Sequence, residues 1–76
     1  MDLDNLIVMA NRIGSFFAAQ PDREEALAGI ADHVKKFWEP RMRAQILAAV
    51  GTAAGAGLSE IVADARATHR AMLQPA

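Results

Sequence analysis

Residues 22–40 read DREEALAGIADHVKKFWEP, and this stretch decides the fold class. Leu27, Ile30, Val34 and Phe37 recur at spacings of three and four, the period of one face of an α-helix. Asp22, with Glu25 three residues on, has the pattern of a capping box in which Asp stands for Ser or Thr. Asp32 and Lys36 stand one turn apart, in the order that favours an ion pair. Pro40 then stops the helix or turns it sharply.

The same period continues on both sides. Leu3, Leu6, Ala10, Ile13 and Phe17 mark a helix over about residues 4–19, capped by Asp2 or Asp4. It ends at Gln20-Pro21, because the residue before a proline disfavours the helical basin. Val8, Met9 and Phe16 fall outside its stripe, so the apolar band is wide enough to need burial on two sides. The helix of residues 22–38 is followed by a third over about 40–50, with Pro40 at a first position where a missing N–H costs nothing. Met42, Ile46, Leu47 and Val50 supply its apolar face, Glu39 and Arg43 are spaced to pair across one turn, and Gly51 is its stop. Residues 51–57, GTAAGAG, form a glycine-rich joint read as a flexible hinge. Ser59 then caps a weaker helix over about 59–73, with Leu58, Ile61, Val62, Ala65, Met72 and Leu73 as its apolar positions. Arg66, His69 and Arg70 interrupt that stripe, so it is expected to be the least firmly packed. No run of alternating β-branched residues appears. The expected fold is all-α, a single domain of three to four helices with a helical hairpin at its N-terminal end.

Composition bounds what such a domain does. The chain has 76 residues, no cysteine and a net charge of −1. Of its apolar residues 17 are alanine and 23 are larger, a thin supply for a core. Domains this small commonly lean on disulfides, a metal or a partner; disulfides are impossible here. Asp2 and Asp4 carry the wrong charge for a signal peptide, and the apolar run from Leu6 to Ala10 falls far short of a membrane span. A cytoplasmic location without membrane contact is the expectation.

Catalytic and nucleotide motifs are weak. Gly51-x3-Gly55-x-Gly57 imitates a dinucleotide-binding turn, but that site needs a second parallel strand carrying an acidic residue, and no sheet is in prospect. No Lys follows the last glycine, so it is not a phosphate-binding Walker loop. There is no Cys and no Tyr, and the two serines, Ser15 and Ser59, lack a nucleophile-elbow context. Asp32 and His33 are adjacent on a helix and point apart, so they make no dyad. No catalytic, cofactor-binding or metal-ligating residue is assigned.

The segment that stands out is Lys35-Lys36-Phe37-Trp38-Glu39-Pro40-Arg41-Met42-Arg43. It carries +3 locally, against −4 for the remainder of the chain. Trp and Arg dominate interface hot spots because they bury large areas and still donate hydrogen bonds. Lys35, Lys36, Trp38, Pro40, Arg41, Met42 and Arg43 are therefore the candidate partner-binding residues. Two plainer readings stand beside this one. Cations near a helix C-terminus satisfy its unpaired carbonyls, and Phe37 and Trp38 together could close a small core. Phe37 continues the Leu27–Ile30–Val34 stripe and is assigned to the core; Trp38 lies one position off it and is assigned to the interface. Joined at Glu39-Pro40, the second and third helices could also imitate a helix-turn-helix with Arg41 and Arg43 leading a recognition helix. The near-neutral overall charge weighs against nucleic acid.

Met9-Ala10-Asn11-Arg12-Ile13, Phe16-Phe17, Gln20-Pro21-Asp22 and the run Gly29-Ile30-Ala31-Asp32-His33-Val34-Lys35-Lys36-Phe37-Trp38-Glu39-Pro40-Arg41-Met42-Arg43 resemble the delta subunit of NAD-dependent, molybdenum-containing formate dehydrogenase. The resemblance covers about residues 5–50, with a weaker match at Gly55-Ala56-Gly57-Leu58, and residues from Ser59 onward carry no signature. It implies a non-catalytic accessory subunit with no cofactor of its own. The implied partners are a large catalytic alpha subunit, which holds a bis-pterin molybdenum cofactor and iron–sulfur clusters, and beta and gamma subunits, which hold FMN, further clusters and the NAD site. It also implies a role in stability of the complex or maturation of the molybdenum site. The alternative from the residues alone is a small helical nucleic-acid-binding or generic protein-interaction module.

Overall fold

The structure, a computed structural model, describes residues 2–74. Five helices follow one another: α1 (Leu3–Ala18), α2 (Arg23–Phe37), α3 (Pro40–Ala49), α4 (Glu60–Thr68) and a single-turn α5 (Arg70–Leu73), with a 3₁₀ turn at Ala53–Gly55. No strand occurs among the described residues, and the all-α small bundle expected from periodicity is what forms. The helix expected over 59–73 is two helices. His69, at φ −116° and ψ 33°, leaves the helical basin and separates α4 from α5.

Helix starts follow local chemistry. The Asp22 carboxylate accepts the Glu24 N–H at 3.0 Å, satisfying one of the donors that every helix N-terminus leaves open. Pro40 occupies the first turn of α3, and Asp32 pairs with Lys36 at 3.1 Å. Two expected caps are not made by side chains. Neither Asp2 nor Ser59, each in the N-cap position, forms a side-chain cap hydrogen bond. The expected Glu39–Arg43 pair also does not form, because Arg43 donates to backbone carbonyls instead.

The core runs between α1 and α2 and is closed by α3, α4 and α5. Leu6, Ile7, Ala10, Ala31, Val34, Trp38, Ile46, Val62 and Leu73 form one continuous buried cluster. Leu27, Ile30 and Ala65 form a second, lined by Ile13, Phe17 and Ile61. The N-terminal half of α1 therefore meets the C-terminal half of α2, an antiparallel hairpin. On α1 the buried face is rotated from the expected stripe: Ile7 and Gly14 are buried, whereas Leu3, Ile13 and Phe17 are half-buried. The cause is α4, which crosses α1 at Gly14. A Cβ there would come within 2.7 Å of Val62 Cγ2, so only glycine admits the helix so closely. Small residues serve the same purpose elsewhere, with Ala10, Ala26, Ala31 and Ala65 all buried.

The helix expected to be least firmly packed is well seated. α4 has its widest contact along α2, buries Val62 and Ala65, and is tied to the start of α2 by an Arg23–Asp64 ion pair. The glycine-rich joint is likewise a built turn. Val50 (φ −62°, ψ 131°) and Gly51 (φ +84°) are the central residues of a turn in which the Thr52 N–H donates to the Ala49 carbonyl at 3.0 Å. This is type II geometry, which calls for glycine at its third residue. Gly55 packs so closely beneath it that a Cβ would lie 2.1 Å from the Ala49 carbonyl oxygen.

The joint is also fastened to α1. Asn11 Nδ2 donates to the Gly57 carbonyl at 2.9 Å, and Asn11 Oδ1 accepts the Ser59 N–H at 2.8 Å. One amide side chain thus fixes both sides of the entry into α4; the Ser59 hydroxyl itself is buried without a partner.

Two substitutions test this account. Asn11→Ala removes both bonds and is expected to destabilise the fold by about 1–3 kcal/mol, the cost of leaving polar groups unpaired. Asn11→Asp keeps the acceptor for Ser59 but sets a carboxylate oxygen against the Gly57 carbonyl, so it should also destabilise. Gly55→Ala forces backbone apart and should cost about 1–3 kcal/mol. Denaturant midpoints followed by circular dichroism would rank all three against the unaltered chain.

Candidate functional site: the 35–43 corner and the aromatic face

The corner between α2 and α3 is built by the end of α2. Trp38 leaves the helix (φ −94°, ψ 137°) while its N–H still donates to the Val34 carbonyl. Around a helix of 100° per residue, Trp38 lies about 40° to one side of Val34 and Phe37 about 60° to the other. Both positions fall on the apolar arc of α2, so cover decides between them. α3 and α5 cover the Trp38 side, bringing Met42, Ile46 and Leu73 into its cluster. No element covers the Phe37 side.

The assignment of these two aromatics is therefore reversed. Trp38 is 5% exposed and belongs to the core, whereas Phe37 is 71% exposed. Trp38 does not present a surface to a partner in this fold.

Two of the four corner cations bond to backbone carbonyls of the chain itself. Arg43 Nε donates to the Leu73 carbonyl at 3.2 Å, and Arg43 Nη1 donates to the carbonyls of Trp38 at 2.8 Å and Lys35 at 3.3 Å. Lys35 Nζ reaches the Met72 carbonyl at 3.4 Å. All four carbonyls lie at or just beyond the C-terminal ends of α2 and α5, where intrahelical donors run out. The plainer reading of these cations, as partners of helix-end carbonyls, describes Lys35 and Arg43. It also removes Arg43 from the imagined recognition helix. Lys36 is exposed and paired with Asp32. Pro40 and Arg41 are exposed and Met42 is half-buried. What remains open at the corner is Lys36, Pro40 and Arg41.

Sequence reasoning missed a second surface. Phe16, 73% exposed, begins a row of rings that crosses from α1 to α2. Phe16 meets Phe17 edge-on with centroids 5.1 Å apart, Phe17 meets His33 at 6.4 Å, and His33 meets Phe37 at 4.7 Å. Arg12, Ile13, Phe16, Phe17 and His33 line an open groove of about 330 Å³. The signal was present in the wide apolar band of α1, which asked for burial on two sides and receives it on one. A further groove, of about 390 Å³, runs between α3 and the α4–α5 end, lined by Ala44, Leu47, Ala48, Arg66, Arg70 and Gln74.

Among the described residues no group of three or more His, Cys, Asp or Glu side chains is placed to hold a metal ion. His33 sits in the aromatic row and His69 at the α4–α5 break. The ligand set does not fit a molybdenum or iron–sulfur centre. Among the described residues no helix is long and apolar enough to cross a membrane.

The corner makes a prediction that separates its inward members from its open ones. Arg43→Lys keeps the charge but loses the planar fork, and is expected to destabilise the chain by about 1–3 kcal/mol as carbonyls lose donors. Trp38→Ala should cost about 3–5 kcal/mol. Arg41→Ala should stay within about 0.5 kcal/mol. Thermal unfolding of the three variants checks the order.

Comparison with known proteins places the chain. No curated protein and no solved structure gives a significant match. Residues 5–66, most of the chain, with all of α2 and α3 and all but the first two residues of α1, match the family described as NADH-dependent formate dehydrogenase delta subunit FdsD. The run from Gly29 to Arg43, which carries the resemblance, lies inside that span, and the chain belongs to the formate dehydrogenase delta subunit family.

Proposed function

We propose that this chain is a non-catalytic accessory subunit of a cytoplasmic NAD-dependent formate dehydrogenase, bound to the large catalytic subunit in a complex that also contains the beta and gamma subunits. Its task is to support assembly or stability of that complex, or maturation of the molybdenum cofactor in the catalytic subunit. The observation that carries this reading is the family match over residues 5–66. The chemistry of the side chains supports it. A chain without Cys or Tyr offers no thiolate for an iron–sulfur cluster and few candidates for acid–base work. In this reading the bis-pterin molybdenum cofactor, iron–sulfur clusters, FMN and NAD belong to the other subunits.

A small rigid partner acts by mass action. Anything that binds the folded form of the catalytic subunit and not its unfolded form raises its stability with the logarithm of its concentration relative to the dissociation constant. A preassembled helical unit is suited to this, because little conformational entropy remains to be lost when it docks.

Co-expression tests the proposal. Omitting this chain while expressing the other subunits should lower the yield of assembled complex, its molybdenum content or its thermal midpoint. If none of the three changes, the accessory reading is wrong.

A further inference from the structure

The aromatic row has the properties of a docking surface. Its two end members, Phe16 and Phe37, are the two most exposed large apolar side chains among the described residues. Isolated exposed apolar residues are ordinary; a contiguous row spanning two helices is not. The row is held in place from below. The Phe17 ring lies against Gly29, where a Cβ would come within 2.5 Å of its Cε1, and Phe17 in turn supports Phe16 and His33. Its placement also leaves it free. Gly14, where α4 crosses, and Phe16 are two residues apart and so project about 200° apart around α1. α4 packs on the Gly14 side of α1, and Phe16 projects from the opposite side.

Charge narrows the occupant. Arg12 lines the groove beside Phe16, Phe17 and His33, and it is the only charged residue between Asn5 and Pro21. Among the described residues Arg12 has no carboxylate partner; the ion pairs present are Arg23–Asp64 and Lys36–Asp32. An apolar row beside one unpaired guanidinium fits a surface that offers apolar side chains flanked by a carboxylate. A second copy of this chain does not supply that. In a two-fold contact each Arg12 would face a row whose nearby carboxylate, Asp32, is already paired with Lys36. A membrane surface is served poorly too, since anionic lipid headgroups are held by clusters of cations.

We propose that the Phe16–Phe17–His33–Phe37 row, with Arg12, is the surface by which this chain docks on another subunit of the formate dehydrogenase complex, and that the partner presents apolar side chains flanked by an Asp or Glu. This rests on the accessory-subunit reading and replaces the Trp38 corner as its contact surface. Aromatic anchors in the middle of a contact and a charge at its edge are the usual division of work at interfaces.

The test uses the tagged full-length chain expressed with the other subunits, and measures how much of them it retains on purification. The variants are Phe16→Ser with Phe37→Ser, Arg12→Glu, Arg12→Lys, and Arg41→Ala at the corner. The serine pair should retain at least tenfold less of the other subunits while keeping the thermal midpoint of the isolated chain. Arg12→Glu should lose several-fold, Arg12→Lys should recover most of that, and Arg41→Ala should match the unaltered chain. Should the serine pair fail to fold, Arg12→Glu against Arg12→Lys decides alone, since Arg12 forms no ion pair among the described residues. Normal retention by both the serine pair and Arg12→Glu overturns the proposal. So does a result in which the variants lose only self-association, measured by light scattering, or only binding to anionic vesicles. An unaltered chain that retains no other subunit would instead overturn the accessory reading itself.

Discussion

The Arg43 guanidinium is the fixture on which the arrangement of helices depends. It stands on α3 and donates to carbonyls from the end of α2 and the end of α5. Those carbonyls belong to the class that every helix leaves unsatisfied. The bonds to the Leu73 and Trp38 carbonyls are half-buried, and leaving a buried carbonyl unpaired costs about 1–3 kcal/mol. One planar fork answers several of them and brings three helix ends to one point. Trp38 belongs to the same junction, buried in the cluster that includes Met42, Ile46 and Leu73. The corner that looks most like a contact surface in the sequence is the closure of the fold.

Alanine and glycine make the rest of the packing possible. A count of large apolar residues suggests a thin core, because surface burial per residue is low in a chain of this length. The deficit is met by close approach. Gly14 lets α4 lie directly on α1, and Ala10, Ala31 and Ala65 are as thoroughly buried as the leucines. Short distances between helix axes give small side chains many neighbours within van der Waals range, which is where packing energy resides. Asn11 adds the polar fastening that keeps the glycine-rich turn in register with α1 across 46 residues of chain.

Once these internal duties are assigned, the surface left for a partner is different from the one a sequence reading favours. Arg43 and Lys35 bond to helix-end carbonyls and Trp38 is buried, while Phe16, Phe37 and Arg12 are exposed. Both groups contain aromatic and cationic residues, so composition does not separate them. Accessibility does, and it follows from where α3, α4 and α5 lie.

The sequence by itself determined the all-α class, the starts of α2 and α3 at Asp22 and Pro40, the turn at Gly51 and the family to which the chain belongs. These are local matters: a capping carboxylate, a missing N–H, a positive φ and a contiguous motif act within a few residues of themselves. Tertiary structure alone decided which flank of the α2 apolar arc is covered, and hence that Trp38 is core and Phe37 is surface. It decided that Arg43 answers Leu73, thirty residues away, rather than Glu39 one turn back. It also seated α4 through Asn11 and Gly14, residues whose roles are invisible until the distant segment that touches them is in place. Helical periodicity marks an apolar arc on each helix, but that arc is wider than one neighbour can cover. The physical reason for the division is that the choice of neighbour is a property of the assembled bundle.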